Sequence, residues 1–235
     1  MKITIAIPAF NEEQIIAKNS IRLESFLKKA LPEFDWQVII ADNASTDNTR
    51  RESEEAARAS ERIKYFFTPK KGKGEAVLSA WTANPADIYA FTDADLAADI
   101  SALPELIRLI ALGQADFAIG SRYLPGSEVR RSFFRKFFSH GYRMVLGIAA
   151  GLRASDAPCG LKAISAKAAE AILPLIEDRE WFFDTELLLR AEKAGLIIAE
   201  VPVKWTEPRK RKSKVSTVKL SCDYLKKIWK IKKST

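Results

Sequence analysis

One histidine and two cysteines are all that the 235 residues offer to soft or borderline metals. Cys159 and Cys222 lie far apart without metal-ligand spacing, so neither a zinc site nor a disulfide framework finds support. Two lone thiols fit a reducing, cytosolic setting. His140, beside Gly141 after an aromatic and cationic run, reads as structural rather than as a catalytic base. No uncharged apolar stretch approaches the ~18 residues of a membrane-spanning helix. The opening MKITIAIPAF carries one Lys and reaches Pro8 quickly, and it reads as a first strand rather than a secretory signal. Internal repeats and low-complexity linkers are also missing.

What is present is a chain with 47% hydrophobic residues, enough to bury a sizeable core in one large domain or two small ones. The net charge of +8 is unevenly placed: residues from Lys204 to Thr235 hold 12 Lys and Arg against two acids. Whatever this basic character attracts therefore meets the C-terminal end.

Short apolar runs alternate with helical patterns through the first half. KITIAIP, WQVIIAD, IKYFF, DIYAFTD and ADFAIGS read as strands, and residues 12–30, 47–60, 72–82 and ALPELIRLIAL as helices. Apolar strands covered on both faces predict an α/β fold with a mostly parallel central sheet flanked by helices. In such sheets ligands sit at the carboxyl ends of the strands. Pro8, Asp42, Asp93 and the GSR of residues 120–122 all stand there. Further on, RRSFFRKFFSHGYRMVLGIAAGL is expected to form a helix, residues 184–194 another, and LIIAEVPVKW a late strand.

FTDADLAAD places Asp93 and Asp95 one residue apart at the end of an apolar run. Acids in a strand-end turn also serve as caps or solvated loop residues, so the triplet alone decides little. Hard ions such as Mg²⁺ or Mn²⁺ are held by one or two carboxylates plus substrate phosphates. A strand ending in D-A-D beside one ending in A-D suits a nucleoside diphosphate bridged to protein by such an ion. PKKGKGEA adds flexible glycines and three lysines, Lys73 among them, just before a helix whose N-terminus attracts phosphate. Its spacing matches neither the P-loop nor the dinucleotide fingerprint, and a basic surface turn is the plain alternative.

The ordered set IPAFNEE, ADNASTDNT, KKGKGEA, DADLAAD, GSRY, DAPCGLKAIS and WFFDTELLLRAEKAG resembles the family 2 glycosyltransferases of the GT-A fold. Within them it is most similar to the polyprenyl-phosphate or dolichyl-phosphate sugar transferases, with RSFFRKFFSHG, REWFFDTELL and VPVKWTE resembling the dolichyl-phosphate glucosyltransferase branch. The likeness runs from residue 3 to about residue 220. It implies a catalytic body over 1–208, with a nucleotide-sugar half (1–123) and an acceptor half (124–208), followed by a basic loop and amphipathic helix over 209–235.

The resemblance also implies roles. Pro8, Phe10 and Glu12 would line the nucleoside pocket, with Asp42 at the base or ribose. Asp93 would lie near the donor sugar and diphosphate, and Asp95 would be the metal ligand. Mannosyl relatives often carry a metal-binding Gln where this chain has Ala97, so water or Asp99 would complete the shell. Asn43 departs from the commoner DDGS pattern by replacing an acid. Arg122 matches an arginine that meets the acceptor phosphate. Arg209, Arg211 and Lys214 match a loop that closes over the donor diphosphate. Asp184 and Glu186 resemble the acidic pair that supplies the base in sugar-to-sugar transferases; with a phosphate acceptor they would organise the site instead.

Arg131, Arg135 and Ser139 recur every four residues and would form one line on a helix, among Phe133, Phe134, Phe137 and Phe138. Arginine's planar fork suits an acceptor phosphate, and such a helix fits the plane of a bilayer interface. From Val218 onward, Val218, Cys222, Leu225, Ile228 and Trp229 would share one helical side. Lys219, Lys226, Lys230 and Lys233 would share the other. That pattern suits an anionic membrane surface or a helix packed on the domain.

These features predict an inverting hexosyltransferase that uses Mg²⁺ or Mn²⁺. It would take UDP-glucose or GDP-mannose and a polyprenyl phosphate, and work peripherally on the cytoplasmic membrane face without nucleic acid. The leading rival is a transferase of the same fold with a sugar or protein acceptor, and Asp184 as its base. A basic nucleic-acid binder without catalysis is the remote one, since no recognition motif appears.

Overall fold

The computed structural model describes residues 1–130, 146–147, 151–207, 224 and 226–231. Arg131, Arg135, Ser139, His140, Arg209, Arg211 and Lys214 lie outside the described residues.

Five elements alternate as the apolar pattern predicts: β1 (Lys2–Ala9), α1 (Ile16–Ala30), β2 (Asp35–Asn43), α2 (Thr49–Ala59) and β3 (Ile63–Thr68). Then follow α3 (Lys73–Ala83), β4 (Ile88–Thr92), α4 (Leu103–Ala111) and β5 (Phe117–Ser121). The later elements are β6 (Glu128–Arg130), β7 (Leu161–Ser165), α5 (Ala166–Ile172), α6 (Phe183–Lys193), β8 (Ile198–Pro202) and β9 (Lys204–Thr206). LIIAEVPVKW, expected as one strand, divides at Val203 into β8 and β9, which join different sheets.

The main sheet has seven strands in the order β3-β2-β1-β4-β7-β5-β8. Its pairings are parallel except at β7, which runs antiparallel to both β4 and β5. Successive side chains of a strand point to opposite faces, and both faces are covered. Ile3, Ile5 and Ile7 of β1 join a cluster with Leu23 and Leu27 of α1, Ala56 of α2 and Leu106 and Ile110 of α4. Ala6, Ile39, Phe91 and Ile119 face the opposite layer, with Val77 and Trp81 of α3, Ala169 of α5 and Leu187 of α6. Each large side chain buried there contributes about 1.5–3 kcal/mol.

Tyr224, Ile228 and Ile231 join the second cluster. The Tyr224 ring packs 4.8 Å from that of Phe182, and Lys227 pairs with Asp178 at 2.5 Å. These described turns of the C-terminal segment dock on the domain. Trp229, expected beside Ile228 on the apolar side, is instead 62% exposed.

Candidate active site

β1, β2, β4 and β5 all end at one edge of the sheet, and the chain bends sharply there. Asn11 after β1, Ala44 after β2 and Leu96 after β4 have φ of 54°, 63° and 49°. Non-glycine residues visit this left-handed region rarely and at some cost. All three such residues among those described follow strand ends beside the expected site. Hydrogen bonds hold the turns together. Asn11 N–H donates to Ser45 Oγ at 3.0 Å, Glu12 N–H to Thr49 Oγ1 at 2.7 Å, and Thr46 N–H to Asn11 Oδ1 at 2.8 Å. IPAFNEE and ADNASTDNT therefore form one rigid rim.

Asp42 stands at the strand end with 1% of its surface exposed, and its carboxylate accepts from Tyr65 Oη at 3.0 Å and Ser45 N–H at 2.9 Å. Any nucleoside contact there uses acceptor capacity left over from these two bonds. The neighbouring Asn43 does what an acid could not: its Nδ2 donates to the Gly72 carbonyl at 2.8 Å and pins the lysine-glycine loop. That loop also packs closely on the chain before α6, since a Cβ on Gly72 would lie 2.1 Å from the Arg179 carbonyl oxygen. Phe10 lies at the rim with Lys71 Nζ 5.0 Å from its ring.

The charged centre is a chain of alternating sign. Lys73 Nζ contacts Asp93 Oδ1 and Asp184 Oδ2, each at 2.8 Å, and Lys162 Nζ contacts Asp184 Oδ1 at 2.8 Å. Burial works against the charge on Asp184, but Lys162 and Lys73 outweigh it and hold the carboxyl below its ordinary range. A carboxylate so stabilised is a poor proton acceptor. Glu186 is equally committed: it accepts from the backbone N–H groups of Glu177 and Asp178 and pairs with Arg190 at 3.2 Å. Both acids of the pair are thus engaged by neighbouring groups of the chain.

Asp95 has the opposite environment. Burial and, after it, the charge of Asp93 push it up to about 6, a shift that a nearby cation would oppose. Hard oxygen donors suit Mg²⁺ or Mn²⁺. Among the described residues no group of three or more His, Cys, Asp or Glu could hold a metal, so an ion at Asp95 would draw further ligands from other oxygens, such as those of phosphate or water. Asp99 Oδ1 accepts from Ser101 N–H at 2.8 Å and caps the turn that leads into α4, much as Asp95 Oδ1 accepts from Ala97 N–H at 3.1 Å.

Arg122 was expected at the acceptor phosphate. Its Nε and Nη2 bind the Asp156 carboxylate, each at 2.7 Å, in a bidentate pair, and its guanidinium lies 5.6 Å from the Trp205 ring centre. Cys159 is inert, since burial pushes its thiol up to about 12.

Sequence reasoning missed Lys162, Asp156, Tyr65 and Gly160 as site residues. DAPCGLKAIS holds three of the four, but their partners lie far away in sequence.

A family model described as "Glycosyl transferase family 2" matches residues 4–173. "Glycosyltransferase AglD" of Haloferax volcanii is 34% identical over 211 residues, which cover 89% of this chain and 34% of that protein. This chain thus spans about a third of that relative's length. "Dolichyl-phosphate beta-glucosyltransferase ALG5C" of Trichomonas vaginalis is 32% identical over 231 residues, covering 94% of this chain and 68% of that protein. Among solved structures, glucosyl-3-phosphoglycerate synthase from Mycobacterium tuberculosis in complex with Mn²⁺, UDP and glucosyl-3-phosphoglycerate superposes with a TM-score of 0.70 at 18% identity. That likeness covers 98% of this chain and 78% of the other. At such identity it speaks for the fold alone.

Proposed function

The chain belongs to glycosyl transferase family 2, and on that premise we propose that it moves a hexose from a nucleoside-diphosphate sugar to a polyprenyl phosphate, with inversion at the anomeric carbon. Its fold is the GT-A arrangement expected from the motifs, a mostly parallel sheet between helices. Relatives named dolichyl-phosphate beta-glucosyltransferase favour UDP-glucose as donor. A relative named dolichol-phosphate mannosyltransferase, from Pyrococcus furiosus, keeps GDP-mannose as the second choice.

The observation that carries the choice of acceptor is the state of Asp184, held between two lysines as a weak base. A sugar hydroxyl needs a base to attack, whereas a phosphate monoester arrives already anionic. Its oxygen attacks the anomeric carbon while the bond to the leaving diphosphate breaks on the opposite face.

Asp95, with Asp93 beside it, would hold Mg²⁺ or Mn²⁺, which when bound supplies positive charge to the leaving diphosphate. Lys73 has spent two of its three N–H donors on Asp93 and Asp184, leaving one for a phosphate oxygen. Pro8, Phe10, Glu12 and Asp42 border the nucleoside side. Arg122, oriented by Asp156, serves the acceptor side together with Arg131, Arg135 and Ser139, while Arg209, Arg211 and Lys214 serve the donor diphosphate.

No helix among the described residues is long and apolar enough to cross a membrane. In this reading the chain meets its lipid at the cytoplasmic surface of the membrane.

The test pairs a thermal-shift screen with a transfer assay. UDP-glucose or GDP-mannose is expected to raise the midpoint only with Mn²⁺ or Mg²⁺ present, and label is expected to pass to a polyprenyl phosphate. Transfer to soluble sugars but not to the lipid phosphate would sink the acceptor assignment. No response to any nucleotide sugar would sink the donor.

A further inference from the structure

Lys162 is the second residue of β7, paired with Phe91 on one side and Ile119 on the other, and none of its surface is exposed. An ammonium offers three N–H donors. Those of Lys162 go to the Ala157 carbonyl at 2.9 Å, the Cys159 carbonyl, and Asp184 Oδ1 at 2.8 Å. With all three donors committed, Lys162 has none left to offer a substrate. A charge is costly to strip of water, and an apolar side chain would fill this core position without that cost. Its value must lie in what it holds.

Two routes lead from Lys162 to Asp93. The first runs through Asp184, which grips Lys73, which grips Asp93 Oδ1. The second runs through the loop whose carbonyls Lys162 binds. The next residue in that loop, Gly160, accepts from Asp93 N–H at 3.1 Å, and its Cα abuts Asp93 Oδ2. Asp93 is therefore held at Oδ1 by Lys73, bounded at Oδ2 by Gly160 and bonded through its backbone N–H to Gly160, while Lys162 binds both the second partner of Lys73 and the loop carbonyls just before Gly160.

We propose, building on the glycosyl-transfer reading above, that Lys162 is a positioning residue for the donor site, fixing Asp93 from both sides and setting where Lys73 stands between its two carboxylates. Without Lys162, Asp184 has only Lys73 to balance it and draws that lysine away from Asp93. The loop carbonyls lose their donor at the same time, and the wall formed by Gly160 relaxes.

The test is a double-mutant cycle on the full chain, reading Mn²⁺ affinity in the presence of UDP, with GDP in parallel, from the electron paramagnetic resonance signal of the free ion. Lys162→Met is expected to weaken Mn²⁺ binding about 10-fold or more, the usual effect of losing a partner behind a metal site. In an Asp93→Asn background the same change should cost little further, because its effect travels through Asp93. Unchanged Mn²⁺ affinity in Lys162→Met, or equal losses in both backgrounds, overturns the proposal. If circular dichroism shows Lys162→Met unfolded, Lys162→Met/Asp184→Asn removes the opposite charges together and takes its place; the loop route alone then carries the expected weakening, and unchanged Mn²⁺ affinity or equal losses in both backgrounds still overturn the proposal. A wild-type chain that binds Mn²⁺ with neither nucleotide overturns the transfer reading itself, a result distinct from failure of the cycle.

Discussion

Gly160 and Asp93 touch so closely that a methyl group on the glycine would stand 1.8 Å from Asp93 Oδ2 and 2.3 Å from its Cγ. Real atoms do not approach that far, so this position carries no side chain while Asp93 keeps its place. The glycine is required for space and not for backbone freedom.

Gly160→Ala is therefore expected to displace Asp93. Overpacking of this kind costs about 1–3 kcal/mol, which urea denaturation would report. Turnover should fall by roughly 100-fold, the scale of losing one aligned group that stabilises developing charge. An alanine variant with wild-type rates would mean that Asp93 is not held as described.

Asp95→Ala should abolish metal-dependent transfer. It should also remove the extra thermal stabilisation that Mn²⁺ adds to a bound nucleotide sugar. Full activity of this variant in EDTA would reject Asp95 as the metal ligand.

Asp184 links stability to acidity. Its folded carboxyl is held below its ordinary range, burial being outweighed by Lys162 and Lys73. Its contribution is thus complete above the unfolded value of about 4. It is lost as pH falls through the depressed folded value. Asp184→Asn leaves two buried ammonium groups short of a counter-charge and should cost about 3–5 kcal/mol near neutral pH. Urea curves should show this gap narrowing as the solution is acidified below about pH 4. A gap constant down to acid unfolding would contradict the pairing.

Asp156 is fully buried and takes both forks of Arg122. Asp156→Ala should destabilise the fold by about 3–5 kcal/mol, as does the loss of one member of a buried ion pair. It should also raise the KM for the lipid phosphate more than that for the nucleotide sugar. Equal effects on both substrates would take Arg122 off the acceptor side.

Much of the layout was legible because its signals are local. Continuously apolar strands, helices of 3.6-residue period and acids at strand ends each declare themselves within about ten residues. β7 did not. LKAIS is five residues long with a charge near its middle, and it reads as strand only once a counter-charge for Lys162 is known. That counter-charge is Asp184, 22 residues on and carried by another element. The C-terminal segment was legible as amphipathic. Which surface its apolar side would cover was not, because Phe182 and Asp178 become its partners only after the chain has folded back.

The sequence by itself determined the alternating architecture, the edge of the sheet where chemistry gathers, and the family, since periodicity and ordered motifs survive without knowledge of contacts. Tertiary structure alone decided which acids crowd one another and which are neutralised by buried cations. Asp95 is raised by burial and by a neighbour of its own sign, while Asp184 is held low by Lys162 and by Lys73, the latter from 111 residues away. The physical reason is that a buried charge is governed by whatever lies within a few ångströms of it, and chain order does not specify those neighbours.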